Sequence, residues 1–214
     1  MPSVIHVVDD DEGVCGSLHA LLALKGYNVR SHLSAKDFLS DFRPSETLCV
    51  VADLRMPSMS GLELQAQLGK SNSDIPFIMI TGHGDVPSAV QALKHGAMDF
   101  IEKPLETSLV LAAVERAVET RLKSLAKLKY ETVAKHRLSE LTPRELEVLN
   151  CIVSGKPNKI IAFELGISQR TIENHRAHLM LKMQVASVAE LVKITIAGGM
   201  KVGAQSASDQ NTTK

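Results

Sequence analysis

Four short apolar runs in the first half of the chain each lead into a residue that can handle a phosphoryl group or its charge. Val4-Ile5-His6-Val7-Val8 runs into Asp9 and Asp10, and Leu48-Cys49-Val50-Val51-Ala52 into Asp53. Phe77-Ile78-Met79-Ile80 runs into Thr81, and Ala97-Met98-Asp99-Phe100-Ile101 stops just short of Lys103. Short β-rich runs alternating with helix-period segments describe βα units and a parallel sheet. Ligands of such sheets bind in the crevice outside the carboxyl ends of the strands. Three carboxylates, one hydroxyl and one ammonium are therefore expected at one edge, a set suited to phosphate and metal chemistry.

The segments between the runs fit this scheme. Val14, Leu18, Leu21 and Leu22 share one helix face, and Gly26 ends that helix. Tyr27 to Arg30 reads as a second strand and Ser34 as the N-cap of a short helix. Further helices are expected over Gly61–Leu68, Val86–Leu93 and from Leu105 onward. Five strands and five helices within residues 1–120 predict an α/β, flavodoxin-like doubly wound domain. No breaker interrupts the fifth helix before the region of Arg137. Leu111, Val114, Val118, Leu125 and Leu128 follow a 3–4 spacing broken by Arg121, so residues 121–137 read as a helical linker or a short coiled-coil seam.

The 214-residue chain is neutral overall, but residues 1–124 hold 11 Lys and Arg against 16 Asp and Glu, whereas residues 125–214 hold 13 against 8. An acidic front and a basic back suggest two modules with different partners, the basic one suited to a polyanion. Absent Trp and 3% aromatic content argue against stacking-based single-strand binding. No run approaches the roughly 20 apolar residues that span a bilayer, and Met1-Pro2-Ser3 enters a strand without a signal-peptide pattern. Cys15, Cys49 and Cys151 lack CxxC spacing and read as small apolar side chains in a reducing cytoplasm.

Chemically, Asp53 needs its incoming phosphoryl oxygens neutralised, and a hard cation such as Mg²⁺ beside Asp9 and Asp10 does this. Lys103 pairs with the phosphoryl group and Thr81 hydrogen-bonds it. The expected product is an aspartyl-phosphate. Asp11 and Glu12 read as acidic residues at a helix N-terminus, and His83 as a plain loop residue.

Val8-Asp9-Asp10-Asp11, Asp53-Leu54-Arg55-Met56-Pro57-Ser58-Met59-Ser60-Gly61, Thr81-Gly82-His83-Gly84 and Asp99-Phe100-Ile101-Glu102-Lys103-Pro104 occur in order, and together they resemble the receiver domains of two-component response regulators. That resemblance implies that Asp53 is the phosphoacceptor. It also implies that Asp10, Asp53 and the backbone carbonyl of Arg55 coordinate Mg²⁺, with Asp9 acting through water. Thr81 and Lys103 hold the phosphoryl group, with a cis peptide to Pro104. Phe100 takes the place of the family's aromatic switch, which biases a surface including Val90, Lys94 and Ile101 towards dimerisation. Pairing with the kinase is assigned to first-helix positions such as Val14, Cys15 and Leu18.

In the basic half, Thr142-Pro143-Arg144-Glu145 has the form of a capping box. Asn158 opens a short helix that ends at Gly166, and Ser168 caps another that runs to Met183, a helix-turn-helix arrangement. On that second helix Ile172, Leu179 and Met183 group on one side, with Arg170, Glu173, Asn174, Ala177 and His178 opposite. Asn suits adenine edges and Glu suits cytosine, while Lys159, Arg176 and Lys182 lie better for phosphates.

Leu141 to Leu149, Asn158-Lys159, Ile161-Ala162, Leu165-Gly166-Ile167-Ser168, Arg170-Thr171-Ile172, His175 and Lys182-Met183 resemble the LuxR-type helix-turn-helix. With the receiver before it, the chain is most similar to the FixJ subfamily. The resemblance implies DNA contacts from Lys159, Arg170, Thr171, Glu173, Asn174, Arg176, Ala177 and Lys182, and a dimer helix carrying Val188, Leu191, Val192 and Thr195. The expected organisation is a receiver over 1–120, a linker over 121–137, an all-α DNA-binding domain over 138–198 and a disordered tail over 199–214.

The expected protein is a cytoplasmic transcription regulator, not an enzyme beyond Mg²⁺-dependent self-phosphorylation and dephosphorylation at Asp53. Its expected partners are a sensor histidine kinase, promoter DNA, a second copy once phosphorylated, and RNA polymerase, with no membrane. Two alternatives stand beside this reading. A haloacid-dehalogenase-type phosphatase would need a second Asp where Asp53-Leu54-Arg55 has Arg55. A receiver that controls a partner protein through the basic module would lack salt-dependent affinity for duplex DNA.

Overall fold

The computed structural model describes residues 4–70, 74–82 and 86–201, which leaves His83, Gly84 and positions 202–214 of the expected tail outside the described residues. Two compact units divide between Leu125 and Ala126.

In the first unit, strands β1 (Val4–Val8), β2 (Asn28–His32), β3 (Thr47–Asp53), β4 (Phe77–Thr81) and β5 (Asp99–Glu102) form one sheet in the order β2-β1-β3-β4-β5. Every pairing is parallel. This is the flavodoxin-like fold, and its strand order reverses between β1 and β3, the switch point where ligands bind. β1, β3 and β4 are buried at every position because helices cover both faces of the sheet, which explains their unbroken apolar runs. The edge strand β2 alternates exposed and buried residues and runs to His32, two residues past its expected end. β5 begins at Asp99: Ala97 N–H still bonds back to Ala92 O at the end of the preceding helix, and Met98 N–H makes the first bond to β4 at Phe77 O.

Helices α1 (Glu12–Leu24), α2 (Ala35–Asp41), α3 (Gly61–Lys70), α4 (Val86–Lys94) and α5 (Thr107–Ser139) complete this part of the chain. Asp11 caps α1, accepting from the amides of Gly13 and Val14 at 2.7 and 3.2 Å. Ser34 caps α2 through Asp37 N. Within α1, Cys15 and Leu18 are buried in the sheet core, so they are not surface residues available to a kinase. Ile101 is likewise buried, because it lies on the face of β5 that packs into the core, and it drops out of the expected dimer surface. Val90 and Lys94 on α4 remain exposed, joined by Leu93.

α5 is one unbroken helix of 33 residues that crosses the division between the units. Its expected coiled-coil positions are largely used within the first unit, where Val114 is buried and Leu111 and Val118 pack on the same core. Arg121, the break in the apolar pattern, is buried too. Its guanidinium donates to the carbonyls of Thr47 at 3.3 Å and Pro44 at 2.9 Å, satisfying acceptors at the start of β3. An arginine therefore serves where periodicity asks for an apolar residue.

The second unit packs the end of α5 with α6 (Pro143–Val153), α7 (Asn158–Leu165), α8 (Gln169–Met183) and α9 (Val188–Ala197). Leu149, Ile161, Ile172, Leu179 and Leu191 form its fully buried centre. Thr142 and Glu145 form the capping box of α6 in both directions. Two positions of the expected dimer helix are corrected: Leu191 and Thr195 are buried in the unit's own core, leaving Val188 and Ile196 as the exposed large apolar residues of α9. The expected tail also begins too early. Gly199, at φ 90, closes α9 with Met200 N–H donating to Thr195 O at 3.2 Å, and Met200 packs on the core.

Candidate functional site

The carboxyl edge of the sheet gathers Asp9, Asp53, Thr81 and Lys103. Asp9 follows β1 and Asp53 ends β3, the central pair of strands, so both carboxylates are almost fully buried, at 2% and 6% exposure. One ammonium bridges them. Lys103 Nζ lies 2.8 Å from Asp9 Oδ2 and 2.8 Å from Asp53 Oδ1. The remaining oxygens are also held: Asp9 Oδ1 accepts from Asp11 N at 2.9 Å and Asp53 Oδ2 from Arg55 N at 2.6 Å. Lys103 is positioned by its backbone, which donates to Thr81 O at 2.7 Å; the peptide to Pro104 is cis. Thr81, the last residue of β4, is buried, and Asp10 is exposed at the rim.

Burial pushes the Asp9 carboxyl above its usual range, and the hydrogen bond from Lys103 offsets this only in part. For Lys103, burial works against the ammonium, but its hydrogen bonds to Asp53 and Asp9 outweigh that cost and its pKa is raised. The site thus keeps one fixed positive charge between two carboxylates. Among the described residues the metal-donor atoms near it are oxygens, with an exposed side at Asp10 where water reaches. Such a set fits Mg²⁺, which prefers one or two carboxylates with several retained waters.

Gly61 is a requirement that the sequence did not reveal. A Cβ there would lie 2.4 Å from the backbone oxygen of Asp53 and 2.7 Å from Met79 Sδ, so only glycine lets α3 start this close behind Asp53. Phe100 is half-buried on the core face shared by Phe38 and Met79.

In the second unit, Arg170, Glu173, Asn174, Ala177 and His178 are exposed on α8, opposite buried Ile172, Leu179 and Met183. Lys159 on α7 is exposed as well. Three other expected contacts have local partners. Thr171 shares a 2.8 Å contact with the capping hydroxyl of Ser168, and Arg176 donates to Asn158 Oδ1 at 3.1 Å. Lys182 Nζ sits 2.7 Å from Glu145 Oε2, and mainly for that reason the Glu145 carboxyl falls to about 2.

Residues 5–115 match the response regulator receiver domain, and residues 139–195 match the bacterial regulatory proteins of the luxR family. The transcriptional regulatory protein FixJ of Rhizobium meliloti is 47% identical over 195 residues, covering 91% of this chain and 96% of the relative. The chain is a FixJ-type response regulator of the LuxR class. The response regulator protein TodT of Pseudomonas putida is 39% identical over 90% of this chain and 85% of its own length. The solved structure of the response regulator StyR is also similar, at 38% identity and a TM-score of 0.81, covering 92% of this chain and 99% of StyR.

FixJ-type regulators pair a receiver with a DNA-binding module, which implies a sensor kinase and DNA as partners. Receivers as a family are generally Mg²⁺-dependent. Among the described residues no helix is long and apolar enough to cross a membrane.

Proposed function

We propose that a sensor histidine kinase phosphorylates this FixJ-type regulator on Asp53, and that the phosphorylated protein dimerises and binds promoter DNA in the cytoplasm to activate transcription. The observation that carries the reading is the single Lys103 ammonium held between Asp9 and Asp53 at the sheet edge. One Asp53 oxygen attacks the phosphorus of the donor phosphohistidine. The P–N bond breaks, and the imidazole nitrogen keeps the electron pair and takes up a proton. Asp10, Asp53 and the Arg55 carbonyl would hold Mg²⁺, with Asp9 acting through water, and the ion supplies charge neutralisation at the phosphoryl oxygens. Lys103 exchanges its contact with Asp53 for a phosphoryl oxygen, and the Thr81 hydroxyl donates to another.

As Thr81 moves inward, Phe100 turns into the space it vacates. The exposed surface of Val90, Leu93 and Lys94 on α4 then favours a second copy. On DNA, Asn174 and Glu173 read base edges from a major groove, flanked by Arg170 and Ala177, while Lys159 meets phosphate and RNA polymerase is contacted from the bound dimer. Chemistry is confined to gain and loss of the phosphoryl group at Asp53.

Light scattering with Mg²⁺, before and after acetyl phosphate or a beryllofluoride mimic, tests the switch. A monomer-to-dimer shift that Asp53→Asn eliminates is expected. Label from phosphodonor that persists at another residue in Asp53→Asn would sink the assignment.

A further inference from the structure

On the sheet face covered by α2 lies a side-chain cluster that the phosphoryl pocket does not use. His6 in β1 and His32 at the end of β2 are both buried, and His6 Nδ1 is 2.9 Å from His32 Nε2. Phe38 stands edge-on to both rings, with centroids 5.1 and 5.5 Å away. The other His6 nitrogen, Nε2, lies 3.3 Å from Thr47 Oγ1, and that hydroxyl donates its one proton to Arg43 O at 2.8 Å. Thr47 can therefore only accept from His6. It follows that His6 carries its proton on Nε2 and turns a bare Nδ1 lone pair towards His32, whose Nε2–H donates into it.

Asp41, the last residue of α2, completes the group, since one ligand atom from each of His6, His32 and Asp41 lies within 4.8 Å of the others. Two imidazole nitrogens and a carboxylate are the ligand set of a Zn²⁺ site with an open position, unlike the all-oxygen set around Asp53. The Thr47 contact supplies what such a site also needs, an outer partner that fixes the tautomer and orientation of a ligating ring.

We propose that the receiver binds one divalent transition-metal ion of the Zn²⁺ class through His6 Nδ1, His32 Nε2 and Asp41, at a site separate from the phosphoryl pocket. On binding, the His32 proton shifts from Nε2 to Nδ1, so both nitrogens that face the metal present lone pairs. Two Zn–N bonds of about 2.0–2.1 Å at a tetrahedral angle ask the two nitrogens to separate by only a few tenths of an ångström from their present contact. Arg30, which now holds Asp41 at 3.1 Å, must release it, and Glu46 at 3.9 Å offers an alternative partner. Burial also pushes His6 down to about 4 and lowers His32, so no proton competes for either ring at neutral pH.

Calorimetric titration of the chelator-treated full chain with Zn²⁺, in excess Mg²⁺, tests the proposal, with Co²⁺ absorption as a second readout. One equivalent should bind and give the visible bands of a nitrogen-ligated, low-coordinate Co²⁺. His32→Gln should abolish binding, and Thr47→Val should weaken it about 10–100-fold. Because buried variants can fail to fold, two half-exposed positions decide the matter. Asp41→Asn should weaken binding at least tenfold, whereas Arg30→Gln, which frees Asp41, should tighten it severalfold. No saturable binding, displacement by Mg²⁺, or an affinity indifferent to both surface variants would overturn the site.

Discussion

Lys182 offers a direct contest between two roles. Its place near the end of α8 suits a phosphate contact, yet its ammonium lies 2.7 Å from Glu145, whose other bonds close the capping box of α6. If the ion pair is structural, Lys182→Met should raise the Glu145 carboxyl well above its value of about 2, because the hydrogen bond from Lys182 is the largest cause of the depression. Thr142 still donates to Glu145 from its backbone and its hydroxyl, both at 2.9 Å, so part of the depression should survive.

The span from the ordinary 4.5 down to about 2 corresponds to roughly 3 kcal/mol at 1.36 kcal/mol per unit. Lys182 is 41% exposed, so solvent screening reduces its share to about 1 kcal/mol. The sign follows from the direction of the shift. A depressed carboxyl stabilises the fold above its unfolded pKa and loses that contribution as pH falls from 4.5 towards 2. The stability gap between wild type and Lys182→Met should therefore be full at neutral pH and close across that window. Carboxyl-carbon NMR titration of Glu145 in both proteins reads the effect at the residue itself. An unchanged Glu145 titration in Lys182→Met would refute the clamp and return Lys182 to the DNA.

Three further substitutions probe other parts of the molecule. Gly61→Ala forces a methyl against the Asp53 carbonyl and should cost about 2–3 kcal/mol while slowing phosphoryl uptake, followed by urea unfolding and acetyl phosphate labelling; wild-type behaviour in both would show that α3 can retreat freely. Arg121→Leu strands the carbonyls of Thr47 and Pro44 and should destabilise the first unit by about 1–3 kcal/mol, read as lost hydrogen-exchange protection in β3. If protection is retained, Arg121 acts only as part of the linker. Asn174→Ala should relax base preference by roughly 1–3 kcal/mol at one position in a selection over randomised sites; unchanged specificity would remove Asn174 from the reading face.

What could be read from the chain beforehand depended on whether a feature is local. Buried parallel strands announce themselves as apolar runs, and the chemistry at their ends follows from topology, so the convergence of Asp9, Asp53, Thr81 and Lys103 needed only the strand order. Caps were equally legible, because Ser34, Thr142 and Ser168 act on amides three residues away. The failures were contacts at long sequence separation. Nothing near Arg121 shows that its guanidinium meets carbonyls more than 70 residues earlier. Nothing near Lys182 points to Glu145, 37 positions back. Periodicity also marks a face without saying what covers it, so Leu191 and Thr195 read as a dimer surface when their own domain buries them.

The same distinction explains how the pocket can be both firm and responsive. Asp53 is fixed from behind by groups close in sequence, its Oδ2 by Arg55 N and its backbone oxygen by the approach of Gly61. The partner most easily exchanged is the distant one, the Lys103 side chain on its four-carbon stem, while the Lys103 amide stays bound to Thr81 O. An incoming phosphoryl group can therefore draw the ammonium away without unlacing the sheet. The backbone bond between Lys103 and Thr81 also ties the end of β4 to the segment just after β5, the strand that carries Phe100, so under the proposed switch a movement at Thr81 would reach that strand. Under the proposed transfer, movement would fall to one long side chain and one hydroxyl, while the Asp53 carboxylate is held from behind by Arg55 N.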